Sequence, residues 1–308
     1  MSAGLLVIGD VVTDVVAIHG VPVSPGTDTA ADIVLRPGGS GANTASWAAY
    51  LGADSRLLTR VGFDTGEWHT AELTKVGVRP HVRVDPDHPT AVVIAMVDVT
   101  GERSMLTNRG AGGHISADDW SPDLLDGVRH LHVSGYTLFA EPGLQLARLA
   151  MDSAAALGLS ISVDPASTGP LREFGVERFL AETARAGLVI PNRDEALLLS
   201  GASSPERAAE YLSGRYGTAV VKLGADGAIL ARNGRVTATA KGRERAVVDS
   251  TGAGDAFAAG FLTAMLAGAD DLACLEAGCE AGADAVAIVG GRPRYGLGSN
   301  RLYPIHTD

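Results

Sequence analysis

The chain has 308 residues, with 25 Lys and Arg against 36 Asp and Glu, giving a formal net charge of −11. That balance, with no basic cluster, argues against a nucleic-acid or anionic-membrane surface, so an anionic ligand would need local donors such as helix amides. The opening MSAGLLVIGD lacks a basic leader and the longest apolar runs are broken by Gly, Asp or Pro short of a membrane span, which predicts a cytoplasmic protein. Cys274 and Cys279 are the only cysteines. On a helix they would point about 140° apart, so no disulfide is expected, and without nearby His pairs no zinc site. The length allows one large α/β domain with an appendage, or two domains.

Leu5 to Ile8 reads as a buried first strand ending at Gly9-Asp10, with Asp14 just beyond. Ligands of open α/β sheets bind at the carboxyl ends of strands, which makes Asp14, with Asp10, a candidate to hold a polar small molecule. A solvated turn acid would look the same in isolation. Thr27 to Leu35 is short and β-like. Arg36-Pro37-Gly38-Gly39-Ser40-Gly41-Ala42-Asn43 then precedes an Ala-rich helical segment, Thr44 to Leu51, so amides at Gly38, Gly39 and Gly41 can meet a ligand and Asn43 offers a donor and acceptors. The loop is neither a P-loop nor Gly-x-Gly-x-x-Gly, and helix–sheet turns use such glycines too.

Leu57 to Val61 is a strand and Gly66 to Lys75 a helix. Between His81 and Met105 the pattern turns to alternating β, with Ala91 to Val99, a turn at Thr100-Gly101-Glu102 and Ser104 to Leu106 reading as a hairpin. The β-rich insertions, about 15–37 and 79–108, are expected to form a small sheet that covers a site as a lid. From residue 130 strands and helices alternate: strands at His130–Val133, Leu159–Val163, Leu188–Ile190, Ala219–Leu223 and Ala228–Ala231, helices at 142–157, 176–186 and 205–214. This predicts an α/β fold, a three-layer, mostly parallel sheet with helices on both faces. The last helix, about 270–288, carries Glu276, Glu280 and Asp284 four apart, a pattern that reads as a solvated acidic face rather than a metal site.

Asp249-Ser250-Thr251-Gly252-Ala253-Gly254-Asp255 leads into an apolar run, Ala256 to Ala267, long enough for a buried helix. Unpaired amides and the helix dipole make a helix start a phosphate site, the glycines let backbone approach an anion, and Asp255 is a carboxylate able to take a proton. An ordinary cap at Thr251 or Asp255 is the alternative.

Taken together, Gly9 to Asp14, Gly38 to Asn43, Asn192-Arg193-Asp194-Glu195, Leu223-Gly224-Ala225-Asp226-Gly227 and Asp249 to Asp255 resemble, in order and over essentially the whole chain, the ribokinase-like (PfkB) carbohydrate kinase family. Ser250 stands where the family usually has Thr and keeps the hydroxyl. The resemblance implies one ribokinase-like domain over 1–308, with Asp255 as the base that deprotonates a substrate hydroxyl attacking the γ-phosphate of ATP. Gly252, Ala253 and Gly254 would supply amides to the transferring group. Asn192 and Glu195 would order Mg²⁺ and phosphate through water, and Lys222, Gly224, Gly227 and Gly254 would lie on the nucleotide side. Asp14, Gly38, Gly39 and Asn43, with Asp255, match the positions that hold the sugar. Many members bind a monovalent cation such as K⁺ near the signature, which here would fall at Asp249 and carbonyls around Ala285 to Gly291. Arg109 would touch a substrate acid or phosphate, or be an exposed loop residue.

The implied activity is an ATP- and Mg²⁺-dependent transfer to a primary hydroxyl of a small sugar or sugar acid of the ribose, fructose or 2-keto-3-deoxygluconate type. A nucleoside kinase of the same fold, of the adenosine, inosine or pseudouridine type, is the alternative, with Trp47, Tyr136 and Phe139 as platforms for a base or as core residues. A non-catalytic binding protein would have no need to retain Asp255, and a nicotinamide dehydrogenase would need a glycine fingerprint that is absent. The exposed edges of a β lid favour pairing, so a homodimer through that sheet is expected.

Overall fold

The computed structural model describes residues 4–99 and 103–294. In chain order the elements are β1 (Gly4–Ile8), β2 (Val12–Ile18), β3 (Asp32–Gly38), α1 (Ser40–Tyr50), β4 (Asp54–Gly62), α2 (Gly66–Lys75), β5 (Arg79–Asp85), β6 (Ala91–Val97) and β7 (Arg103–Asn108). Then follow β8 (Val128–Ser134), α3 (Gly135–Leu138), α4 (Glu141–Ala156), β9 (Ser160–Asp164), α5 (Thr168–Phe174), α6 (Val176–Glu182), β10 (Leu188–Val189), α7 (Arg193–Ser200) and α8 (Pro205–Tyr216). The chain continues through β11 (Thr218–Lys222), β12 (Ala228–Arg232), β13 (Arg235–Ala240), α9 (Ala253–Leu266) and α10 (Asp271–Val286).

Burial on both faces dictates the strand sequences. In β1 every residue is buried, and Leu5 and Val7 belong to the core on the face of α1 and α9 while Leu6 and Ile8 belong to the core on the face of α4 and α8. A strand covered by helices on both sides needs apolar residues at successive positions, not alternating ones. The resulting nine-stranded sheet runs β13-β12-β11-β10-β9-β8-β1-β4-β5. It is parallel from β5 to β11 and antiparallel at β11, β12 and β13. The carboxyl ends of β1, β8, β9 and β11 therefore lie along one edge, where the polar residues that follow them gather.

A separate four-stranded sheet, β3-β2-β6-β7, stands apart from the first. The expected insertion limits 15–37 and 79–108 change in two places. The small sheet starts at Val12 and takes in Gly38, and Arg79–Asp85 is an edge strand of the large sheet, paired parallel to β4. An amphipathic edge strand shows the same alternation as a lid strand, so the pattern could not separate them. Instead of 27–35, the β-like stretch forms at Asp32–Gly38. The expected turn Thr100-Gly101-Glu102 lies outside the described residues.

The acidic stripe on α10 is exposed, as expected, but it is also paired: Arg243 reaches Glu276 at 3.8 Å and Glu280 at 3.4 Å, and Arg245 reaches Asp284 at 3.3 Å. These pairs lay the stretch leading into Asp249 along α10. Among the described residues no helix is long and apolar enough to cross a membrane.

Candidate active site

The carboxylate of Asp10, just past the end of β1, accepts from the Ser40 amide at 3.2 Å and the Gly41 amide at 3.1 Å. The N-cap of α1 is Gly39, which has no side chain to cap with, so α1 borrows a carboxylate from the strand beside it. Ser40 and Asn43, one turn apart, then face the start of α9. Ser40 Oγ donates to Asp255 Oδ1 at 2.8 Å and Asn43 Nδ2 donates to Asp255 Oδ2 at 2.9 Å.

Asp255 lies in the first turn of α9, whose N-cap is Gly252 with no side-chain bond, so neither Thr251 nor Asp255 is the cap. Gly252 is left-handed (φ 75°), and a Cβ there would stand 2.5 Å from the Gly291 Cα. That close approach admits only glycine. Asp249 ties the two segments together: Oδ1 accepts from the Thr251 amide (2.9 Å) and hydroxyl (2.7 Å), and Oδ2 accepts from the Gly290 amide (2.9 Å). The Asp255 carboxyl is pushed up to about 7, chiefly by burial and further by the charge of Asp164, against the Asn43 and Ser40 hydrogen bonds and Lys222, which lower it.

On the other side of Asp255 are the ends of β9, β10 and β11. Lys222 Nζ donates to Asp164 Oδ2. Asn192 and Glu195 form a reciprocal capping box at the start of α7, with the Asn192 amide donating to Glu195 Oε2 at 2.8 Å, Asn192 Nδ2 to Oε1 at 2.7 Å, and the Glu195 amide to Asn192 Oδ1 at 2.9 Å. The Asn-x-x-Glu spacing thus has a local structural cause. Glu195 is nonetheless pushed up to about 7, by burial and then by the charge of Asp164, with Lys222 opposing. Gly254 abuts this group, since a Cβ on it would stand 3.4 Å from Lys222 Nζ. Gly224 and Gly227 shape the turn just after β11. Burial and the neighbouring charge of Asp164 raise Glu195, so the charge of a divalent cation beside these carboxylates fits the donor set. Among the described residues no group of three or more His, Cys, Asp or Glu side chains is placed to hold a metal.

Asp14, on β2 of the small sheet, is half-buried and pushed up to about 6 by burial and by the charges of Asp10 and Asp249, against Arg292. Burial, and after it the charges of Asp10, Asp255 and Glu195, raise the hydroxyl of Tyr136, on α3, to about 12. It meets Phe139 edge-on at 6.2 Å, and Phe139 meets Phe174 at 5.6 Å. The Arg109 guanidinium lies 6.0 Å from the Phe139 ring centre and Arg178 4.5 Å from that of Phe174, around a cavity of about 340 Å³. Trp47 is buried elsewhere, donating to the Gly291 carbonyl at 3.0 Å, and is a core residue rather than a platform. The structure thus brings Asp14, Gly38, Gly39, Asn43, Asn192, Glu195, Lys222 and the signature to one edge. It adds Ser40, Asp164 and Arg292, which the sequence reading had given no role. Asp164 did carry a signal, an Asp-Pro at the end of a strand-like run.

A small sheet beside the carboxyl edge of a large parallel one, with a raised carboxylate at a helix mouth, is the architecture of ribokinase-like phosphotransferases. The chain belongs to the pfkB family of carbohydrate kinases, whose model matches residues 2–293. It is 32% identical over 279 residues to a fructokinase of Escherichia coli, covering 86% of this chain and 85% of that protein. It is 30% identical over 262 residues to a 2-dehydro-3-deoxygluconokinase of Thermoproteus tenax, covering 82% and 80%. Among solved structures, an adenosine kinase from Sinorhizobium meliloti superposes with a TM-score of 0.85 at 26% identity, over 95% of this chain and 96% of that one.

Proposed function

We propose that this kinase moves the γ-phosphate of ATP to a primary hydroxyl of a small sugar or sugar acid of the ribose, fructose or 2-keto-3-deoxygluconate type. The observation that carries the reading is the Asp255 carboxylate, fixed by Ser40 and Asn43 and raised to about 7 at the mouth of α9. A base poised near neutral pH, oriented by two donors, takes the hydroxyl proton on Asp255 as the oxygen attacks. The amides of Gly252, Ala253 and Gly254 lie where charge would grow on the transferring group. Asp14, Gly38, Gly39 and Asn43 hold the acceptor, a carboxylate and an amide each matching vicinal hydroxyls. Lys222, Gly224 and Gly227 face the nucleotide. Mg²⁺, held through water at Glu195 and Asn192, would supply positive charge at the phosphates. A K⁺ site at Asp249 and the 285–291 carbonyls belongs to the same reading. So does a homodimer through the small sheet, where Val15, Leu35, Ile94 and Leu106 align across the four strands and Leu35 and Leu106 are 63% and 60% exposed.

One observation favours the nucleoside alternative. Tyr136, Phe139 and Phe174 form an aromatic run flanked by Arg109, a surface that suits a flat base. ADP release with ATP, Mg²⁺ and a panel of D-fructose, D-ribose, 2-keto-3-deoxygluconate, adenosine and inosine separates the readings. Turnover of a free sugar or sugar acid above the nucleosides is expected; preference for adenosine or inosine would replace the sugar reading, and no turnover on any would overturn both.

A further inference from the structure

Arg292 is 8% exposed and belongs to none of the sequence motifs. Its Nη2 donates to the Gly38 carbonyl at 3.0 Å, while Nε and Nη1 are buried without a hydrogen-bond partner. A guanidinium removed from water with one bond is costly, and burial indeed lowers it to about 10. The neighbours show what the charge serves. Gly38 packs directly under Asp14, because a Cβ on Gly38 would stand 2.1 Å from Asp14 Oδ2. Arg292 therefore lies behind the backbone on which the Asp14 carboxylate rests. Around Asp14 the charges of Asp10 and Asp249 oppose its ionisation, and Arg292 is the cation that favours it. Across β3, Arg36 stands opposite Asp14 in register, with its Nε buried and unpartnered. From α2, Glu72 faces Arg292, and His69, hydrogen-bonded to Thr13 at 2.9 Å, is held neutral by burial and by Arg292 itself.

We infer that Arg292 is a positioning residue of the acceptor half-site: it fixes the Gly38 carbonyl and supplies the positive charge that lets Asp14 accept hydrogen bonds from a bound hydroxyl. This rests on the reading of Asp14 as an acceptor-holding residue. Asp14 protonated would donate one hydrogen bond and lose an acceptor, so acceptor affinity depends on Arg292 although Arg292 does not touch the acceptor. Phosphoryl transfer itself, at Asp255 and the nucleotide side, does not depend on it.

The test is steady-state kinetics of Arg292→Met and Arg292→Lys on whichever panel acceptor the wild type uses fastest, with melting temperatures measured alongside. Arg292→Met is expected to raise KM for the acceptor about tenfold or more, with kcat and KM for ATP within about threefold, and Arg292→Lys to recover part of the loss. Should Arg292→Met fail to fold, Arg292→Lys decides alone, by a raised acceptor KM against an unchanged ATP KM. An unchanged acceptor KM overturns the inference, and so do acceptor and ATP KM values rising together with a lower melting temperature, which would mark a purely structural residue. A wild type inert on the whole panel overturns the kinase reading, and this inference with it.

Discussion

Asp255 is held in a balance that the proposed reaction uses. Burial makes its proton hard to remove, while Ser40 and Asn43 make the carboxylate easier to keep. A base must be unprotonated, so kcat/KM should fall as pH drops through about 7. Replacing Ser40 by Ala removes a bond that lowers the pKa, so the acidic limb of a pH–rate profile should move to higher pH; a limb that stays or moves down would contradict the assignment. The same balance affects stability. A folded pKa above the unfolded one means that Asp255 contributes stability fully present below about 4, the ordinary carboxyl value, and lost as pH rises through about 7. The buried His69, His130 and His132, lowered to about 3, 3 and 4, act in the opposite direction between about 3 and 6.5, so the difference between variants is the clean measure. Asp255→Asn should therefore melt higher than wild type at pH 8, with the gap shrinking towards pH 5. A gap that does not change with pH would contradict the raised pKa.

The junction of Gly252 with Gly291, and of Asp249 with Gly290, makes the start of α9 a two-segment structure. Gly252→Ala would place a Cβ within 2.5 Å of Gly291 at a left-handed position. A loss of about 1–3 kcal/mol from backbone strain alone is expected, read by denaturant unfolding, together with weakened phosphoryl transfer. A variant as stable as wild type would show that the turn yields. Long, strongly patterned elements were legible from the sequence: the helix at Gly66–Lys75 has those limits in the structure, and the βα alternation after residue 130 became the parallel sheet. Arg79–Asp85 and β13 were not, because alternation does not say which sheet a strand joins and Thr-Ala repeats signal strands weakly. In the site, glycine spacing exposed the two helix mouths. Which side chains meet across them, Ser40 with Asp255 or Lys222 with Asp164, depends on contacts 215 and 58 residues apart that no local pattern carries. Arg292 lies outside every motif, and only its burial reveals it.

The molecule joins a large sheet buried on both faces to a small one that carries Asp14. The small sheet presents the row Val15, Leu35, Ile94 and Leu106, and an apolar row of this kind on one copy matches the same row on another. Sedimentation at micromolar concentration should find a dimer for the wild type and a monomer for Leu106→Glu; a monomeric wild type would contradict the pairing. All of these features matter to function only if the two sheets enclose a working base. The most direct measurement is the turnover of Asp255→Asn with ATP, Mg²⁺ and the best panel acceptor, on protein shown by its melting curve to be folded. A loss of about 10²–10⁴ in kcat is expected for removal of a general base, and activity within about tenfold of wild type would contradict the account.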